Sequence, residues 1–143
     1  MLPLRAAKAY TQIGVETGVA AASPHSLIIM LYDGARQAIA EARGHLEAGR
    51  IAERGRSMSR AIAIIDEGLK GCLDPAGGDI AAQLGQLYDY MCRRLLLASL
   101  NNDSAGLDEV SRLLDELRGA WAKIDSPPRS AVATNVSRPF APL

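Results

Sequence analysis

The side chains that could support catalysis or bind a metal are few, and their spacing keeps them apart. The two histidines, His25 and His45, fall near the start and the end of one predicted helix, so a single mid-helix site cannot contain both. A di-iron site in a helical bundle needs Glu-x-x-His pairs on two helices, whereas Glu41 and His45 are four residues apart. We therefore expect both histidines on the surface and predict no metal site.

The two cysteines also lack the partners that thiol chemistry requires. Cys72 and Cys92 are too few for a disulfide framework, have no zinc-ligand spacing, and have no matching histidine or acid for nucleophilic catalysis. We expect two buried thiols in a reducing cytosol. The sequence has no GxxxxGK[ST] phosphate loop either. Together these features predict a protein that is not an enzyme and needs no cofactor.

Composition limits the remaining classes. The 143 residues are enough for one domain with a substantial core, and the 16 basic and 16 acidic side chains give a net charge of zero. This balance argues against a general nucleic-acid binder, which carries a basic patch. We find no secretory signal and no run of about 18 apolar residues that could span a bilayer. We therefore expect a cytoplasmic protein with no direct membrane insertion.

Hydrophobic periodicity predicts four helices. Hydrophobic residues make up 48% of the chain but aromatic residues only 4%, a composition that favours helices over strands. The central stretch, 80–100, repeats apolar residues at spacings of three and four: Ile80, Leu84, Leu87, Met91, Leu95 and Ala98. Comparable stripes mark 24–47, 51–72 and 107–124; the second of these contains Ile51, Met58, Ile62, Ile65, Leu69 and Cys72.

Capping and turn residues separate these helices. Ser23 and Pro24 form a helix start, and Gly49 suits a C-terminal cap with positive φ. A turn cluster over 74–78 and the polar run 101–104 separate the later helices. Short connections force antiparallel neighbours. The prediction is an all-α fold, an antiparallel up-down four-helix bundle over 23–125, with a short N-terminal arm (1–22) and a flexible, disordered C-terminal tail (126–143).

Some apolar side chains exceed what this bundle needs. Their helical phase places them away from the centre of each stripe, and tyrosines, which are common at interfaces, accompany them. Either these residues widen the core of a small, alanine-rich bundle, or they line a groove for an amphipathic partner. The candidate partner-binding residues are Ile64, Tyr88, Tyr90, Leu96, Leu97 and Leu100.

The order of several motifs resembles the flagellar secretion chaperone family FliS. SPHSLIIMLYDGARQAIAEA, from Ser23 to Ala42, is similar to the family's opening helix, with Tyr10 in a preceding arm. Further similarities are Gly77-Gly78 followed by Leu87-Tyr88-Asp89-Tyr90, and a late tryptophan, Trp121. The resemblance covers about residues 9–124. One departure is Gly68, where relatives usually carry leucine.

The resemblance implies a function and two partners. Such proteins bind the amphipathic C-terminal segment of newly made flagellin in the bacterial cytosol, prevent its premature polymerisation, and deliver it to the cytoplasmic domain of the flagellar type III export gate. The arm is expected to cover part of the empty groove. Tyr10 and Ile13 are the arm residues assigned to gate docking or groove cover. An alternative function is a helical-bundle adaptor that binds an amphipathic segment in another pathway.

Overall fold

A computed structural model describes residues 23–124 and shows four helices and no strand within that range. The predicted arm (1–22), including Tyr10 and Ile13, and the predicted tail (126–143) lie outside the described residues. The helices are α1 (Pro24–Ala48), α2 (Ile51–Ala63), α3 (Gly78–Leu100) and α4 (Ser104–Ala122). A π-helical stretch, Ile64–Leu69, and two 3-10 turns, Lys70–Cys72 and Pro75–Gly77, link α2 to α3.

The helix ends carry the caps that the sequence predicts. The Ser23 side chain accepts a hydrogen bond from the backbone N–H of Ser26, and Pro24 occupies the first turn of α1. Gly49 follows α1 with a φ of 74°, a left-handed conformation that glycine adopts without steric cost. Asp103 caps α4 by accepting from the N–H of Ala105. These local signals explain why the predicted ends of α1, α3 and α4 lie within about three residues of the observed ones. The second predicted helix, 51–72, is α-helical only as far as Ala63 and continues as the π-helical stretch and a 3-10 turn.

The four helices form a ring of neighbours. Helix α1 packs against α2 and α4, and α3 packs against α2 and α4. Because only Gly49 and Arg50 separate α1 from α2, and three residues separate α3 from α4, these pairs run antiparallel. The predicted all-α, up-down four-helix bundle is therefore confirmed for the described residues.

The core is aliphatic and lies along the inner stripe of every helix. Met91 and Leu95 from α3 belong to the same buried cluster as Leu107 and Leu114 from α4, and all four are fully buried. Two large residues of the predicted stripes do not join this core: Ile51 is 70% exposed and Ile80 is 51% exposed. Each lies in the first turn of its helix, at an end of the bundle where neighbouring helices give less cover. Ala81 is buried beside Ile80 instead.

Gly68 allows α1 and the π-helical stretch to approach closely. A Cβ atom at this position would lie 2.9 Å from the Cδ2 atom of Leu31 on α1, closer than real Cβ contacts come. Leu31 is fully buried, and Leu69, next to Gly68, is 1% exposed. The residue that departs from the family pattern therefore has a packing role, because its missing side chain makes room for Leu31.

Candidate partner-binding surface

Three leucines at the end of α3 are exposed on the outside of the bundle. Leu96 is 51% exposed, Leu97 is 53% exposed and Leu100 is 70% exposed, and Tyr90, two turns earlier, is 37% exposed. Met91, Leu95 and Ala98 on the opposite side of the same helix are fully buried. The leucines are therefore surplus to the core, which favours the second of the two alternatives that the sequence left open. We call Tyr90, Leu96, Leu97 and Leu100 the α3 apolar face.

The exposure predicted for Ile64 is wrong, because this side chain is fully buried. The prediction drew the stripe of the second helix through its large apolar residues alone. Three small residues, Ser57, Ala61 and Gly68, are also buried. They shift the centre of the buried face toward Ile64, where the α-helix changes into the π-helical stretch. Small residues at a close helix contact carry little hydrophobic signal, so the sequence pattern did not indicate this burial.

Tyr88 is also buried rather than exposed, at 3%. Its hydroxyl lies 2.7 Å from the hydroxyl of Tyr32 on α1, which is 2% exposed, and the two share a hydrogen bond. Burial raises the pKa of Tyr32 to about 12 and raises the pKa of Tyr88 well above its ordinary value. Both phenols are therefore neutral at physiological pH. Tyr88 stabilises the core and is not part of the α3 apolar face.

A polar network fixes Tyr90 at the side of α3 that faces α4. Its hydroxyl donates to Oε2 of Glu109, and Oε1 of the same carboxylate accepts from Nε of Arg94 at 2.8 Å. Arg94 also pairs with Asp103, the cap of α4, at 3.3 Å. The hydrogen bonds from Tyr90 and then from Arg94 lower the pKa of the Glu109 carboxyl. The ring of Tyr90 is thus held in place by charges, with its hydroxyl already occupied.

The seam between α1 and α4 is crossed by ion pairs along its length. Arg118 binds Asp33 through two nitrogens, at 2.6 and 3.3 Å, and Arg36 lies 3.3 Å from Asp115. Further along, Arg43 pairs with Asp108. This face is therefore charged and occupied by intramolecular contacts. It offers less to an apolar partner than the α3 apolar face does.

The seam between α2 and α3 has fewer polar contacts. Lys70 pairs with Asp89 at 2.7 Å near the α2–α3 connection, and the Sγ of Cys92 donates weakly to the carbonyl of Ile62 at 3.9 Å. No ion pair is found between α2 and α3 on the Leu100 side of Cys92, within residues 23–124. The outer half of this seam is bordered by Leu96 and Leu100, and at its end Nη1 of Arg54 donates to Oδ1 of Asn102 at 2.5 Å.

His25 is half-buried, in contrast to the surface position expected for it. Its ring stacks on Trp121 with the centroids 5.9 Å apart, and its Nε2 donates to the Trp121 backbone oxygen at 2.7 Å. This contact joins the start of α1 to the end of α4. Sequence reasoning missed it because 96 residues separate the two partners.

The other residues considered for chemistry do not form a site in the described chain. Neither Cys72 nor Cys92 forms a disulfide within residues 23–124, and burial, followed by Asp66 and Asp89, raises the pKa of Cys92 to about 11, which disfavours the reactive thiolate. Residues 23–124 contain no group of three or more His, Cys, Asp or Glu side chains able to hold a metal ion. Among the same residues, no helix is both long and apolar enough to span a bilayer.

Comparison with known proteins identifies the family. The model of the flagellar protein FliS family matches residues 6–128. The chain is 52% identical over 118 residues to the flagellar secretion chaperone FliS of Salmonella typhimurium, covering 82% of this chain and 87% of the relative. It is 43% identical over 122 residues to the flagellar secretion chaperone FliSB of Pseudomonas aeruginosa, covering 85% and 96%. The corresponding chaperone of Bacillus subtilis is 34% identical over 113 residues, covering 79% and 80%. The chain therefore belongs to the FliS family of flagellar proteins.

Proposed function

We propose that this FliS-family secretion chaperone binds the amphipathic C-terminal segment of flagellin on the α3 apolar face. The observation that carries the proposal is the exposure of Leu96, Leu97 and Leu100, each at least half exposed, on a helix whose opposite side is fully buried. Contiguous exposed leucines are costly in water and mark a surface that another molecule covers. An amphipathic segment that has no stable fold of its own matches such a surface.

A wrapped interface suits this cargo better than a deep pocket. A disordered segment loses conformational entropy when it binds, so a large contact area is needed to offset that loss. The α3 apolar face lies on the outside of a long bundle, where a partner can continue past the end of the leucines. Covering the segment in the bacterial cytosol would prevent flagellin from polymerising before export.

Delivery to the export gate completes the proposed function. In this proposal, the cytoplasmic domain of the flagellar type III export gate receives the loaded chaperone, and the N-terminal arm contributes Tyr10 to docking, with Ile13 covering the empty groove. Both residues lie outside the described range, so their roles follow from the family resemblance alone. Release at the gate then frees the chaperone for another flagellin molecule.

The direct test is a titration of this chain with purified monomeric flagellin, followed by size-exclusion chromatography and calorimetry. We expect a 1:1 complex with the whole flagellin and no complex with flagellin that lacks its C-terminal segment. If the whole flagellin does not bind, the alternative of an adaptor for an amphipathic segment in another pathway takes its place. Equal binding of both forms would overturn the assignment to the C-terminal segment.

A further inference from the structure

The connection between α2 and α3 forms a mainly apolar cleft at the base of the bundle, the end at which α1 begins and α4 ends. This apolar cleft has a volume of about 280 Å³, and its apolar walls are Leu73, Pro75, Ala81 and Ala82. The volume is slightly below the range of about 300–1,000 Å³ that is typical of small-molecule sites. The cleft therefore suits a single large side chain better than a cofactor.

A second cleft adjoins the first. It has a volume of about 390 Å³ and shares Lys70, Leu73 and Pro75 with the apolar cleft, so the two lie side by side. Leu73 is half-buried, and its backbone is extended between the two 3-10 turns. Its Cδ1 atom would lie 3.6 Å from a Cβ atom at Gly85 on α3. The side chain of Leu73 therefore leans toward α3 and forms a wall that is common to both clefts.

The second cleft is acidic. It is lined by Asp66 and Glu67, which are exposed and form no salt bridge with another residue in the described part of the chain. Lys70 also lines it, but its ammonium pairs with Asp89 at 2.7 Å. Over the range 64–82 the chain has four carboxylates and one ammonium. An unbalanced negative charge next to an apolar cleft matches a ligand that has an apolar side chain and a cation close together.

The predicted tail, 126–143, has this combination of groups. It contains Arg129 and Arg138 and no acidic residue, and Phe140 is the only phenylalanine of the chain. Arg138 and Phe140 flank Pro139. A residue that precedes proline is restricted to extended conformations, and in an extended chain the side chains at i and i+2 lie on the same side. Arg138 and Phe140 can therefore enter neighbouring clefts together.

The tail is also long enough to reach the two clefts. Helices α3 and α4 are antiparallel neighbours, so α4 ends beside the first turn of α3 at the base of the bundle. Because packed helices lie about 8–10 Å apart, the clefts on the other side of α3 are within roughly 20 Å of Ile124. A random coil of about 16 residues, the separation of Ile124 and Phe140, spans about 20–24 Å on average. Such a match gives a local concentration in the millimolar range, at which even a small contact is populated.

We propose that the tail folds back on the base of the bundle and places Phe140 in the apolar cleft. The guanidinium of Arg138 then lies beside Asp66 and Glu67 in the acidic cleft. This contact covers Leu73 and ties the irregular α2–α3 connection to the tail. The inference goes beyond the proposed function and is independent of it, because it involves neither flagellin nor the α3 apolar face.

The test is nuclear magnetic resonance on the full chain, in which the single phenylalanine gives an unambiguous signal. The sample is a deuterated chain with protons only on the amides, the phenylalanine ring and the methyl groups of alanine and leucine. We expect nuclear Overhauser effects from the ring of Phe140 to the methyl groups of Leu73 and Ala82, and amides over 138–141 that relax as those of the bundle do. Without these Overhauser effects the proposal fails, whether the tail is free or bound elsewhere.

Two matched pairs of variants assign the contact to particular side chains. Phe140→Ser should shift the amide resonances of 70–82 and speed their hydrogen exchange severalfold, because it uncovers the apolar cleft. Val132→Ser also removes an apolar side chain from the tail and should leave those amides unchanged. Arg138→Gln should weaken the Overhauser effects, as should added salt, which screens the charges, whereas Arg129→Gln should not. Equal effects of the two serine variants would overturn the placement of Phe140, and equal effects of the two glutamine variants that of Arg138.

Two other occupants of the apolar cleft give different results. If Tyr10→Ser shifts the amides of 70–82 and Phe140→Ser does not, the N-terminal arm fills the cleft and the inference fails. If the Overhauser effects from Phe140 disappear on dilution of the protein, the tail comes from a second copy of the chain, and the intramolecular contact is excluded. Loss of flagellin binding in any of these variants bears on the proposed function and not on this inference.

Discussion

The hydroxyl groups of Tyr32 on α1 and Tyr88 on α3 lie 2.7 Å apart inside a mainly aliphatic core. The two helices are not neighbours in the ring of four, so this hydrogen bond joins them across the interior. Both side chains are almost fully buried, so each hydroxyl depends on the other for its hydrogen bond. The pair therefore stabilises the folded bundle, whereas the sequence analysis had predicted that Tyr88 binds a partner.

Tyr32→Phe or Tyr88→Phe should each lower the free energy of unfolding by about 1–3 kcal/mol, because each leaves the other buried hydroxyl without its partner. The double variant should lose less than the sum of the two, since it removes both polar groups. Urea unfolding followed by circular dichroism measures all four proteins in a double-mutant cycle. Strictly additive losses would mean that the hydroxyls do not interact in solution.

Alkaline pH should destabilise the fold through the same pair. The folded state raises the pKa of Tyr32 from 10.0 to about 12, so its stabilising contribution is complete below pH 10 and is lost as the pH rises through 12. Between these two pKa values, the free energy of unfolding should fall by up to about 1.4 kcal/mol per pH unit because of this phenol. Thermal unfolding at a series of pH values between 8 and 12 measures this decline. The variant with phenylalanine at both positions should show a shallower decline, and an equal slope in both proteins would contradict the assignment.

The sequence predicted the helices well because the signals that define them are local. Ser23, Pro24 and Gly49 act within one turn of their own positions, and the structure confirms each of them. The apolar spacing over 80–100 likewise predicted α3, which extends from Gly78 to Leu100. Short connections then left little choice of topology. The fold class therefore follows from the sequence almost entirely.

The surface was harder to predict because burial depends on contacts between distant residues. Leu96, Leu97 and Leu100 are exposed as expected, whereas Ile64 and Tyr88 are buried. Ile64 is covered because small residues bring α2 close to α1, and small residues add nothing to a hydrophobic stripe. Tyr88 is covered because its polar atom finds Tyr32, 56 residues away. The burial of these two residues cannot be predicted from the spacing of apolar residues along a single helix.

Gly106→Ala should destabilise the bundle more than Gly68→Ala does. A Cβ at Gly106 would lie 2.7 Å from the Cβ of Ala98, which cannot move without shifting α3. At Gly68 the 2.9 Å contact is with the end of the Leu31 side chain, which can adjust. We expect a loss of about 1–3 kcal/mol for Gly106→Ala and a smaller one for Gly68→Ala.

Gly119→Ala is the control for these two changes. Gly119 also lies inside a helix, α4, but a Cβ there would meet no atom within 4 Å. This variant should gain up to about 1 kcal/mol from helix propensity alone. Urea unfolding of the three variants ranks their free energies of unfolding directly. If Gly106→Ala is as stable as Gly119→Ala, α3 and α4 are not as closely packed at this point as the structure describes.

Leu97→Glu and Leu100→Glu should weaken flagellin binding while leaving the bundle folded. Each leucine is more than half exposed, so a carboxylate at either position remains in water in the free chain. In the complex, the same carboxylate would be buried against apolar groups of the partner, at a cost of several-fold to a hundredfold in affinity. Gln37→Glu adds the same charge at an exposed position on α1, away from the α3 apolar face, and should bind normally. Calorimetry measures the affinities and circular dichroism the helix content. Unfolding of either leucine variant would show that its side chain belongs to the core, and unchanged affinity in both would remove the α3 apolar face from the interface.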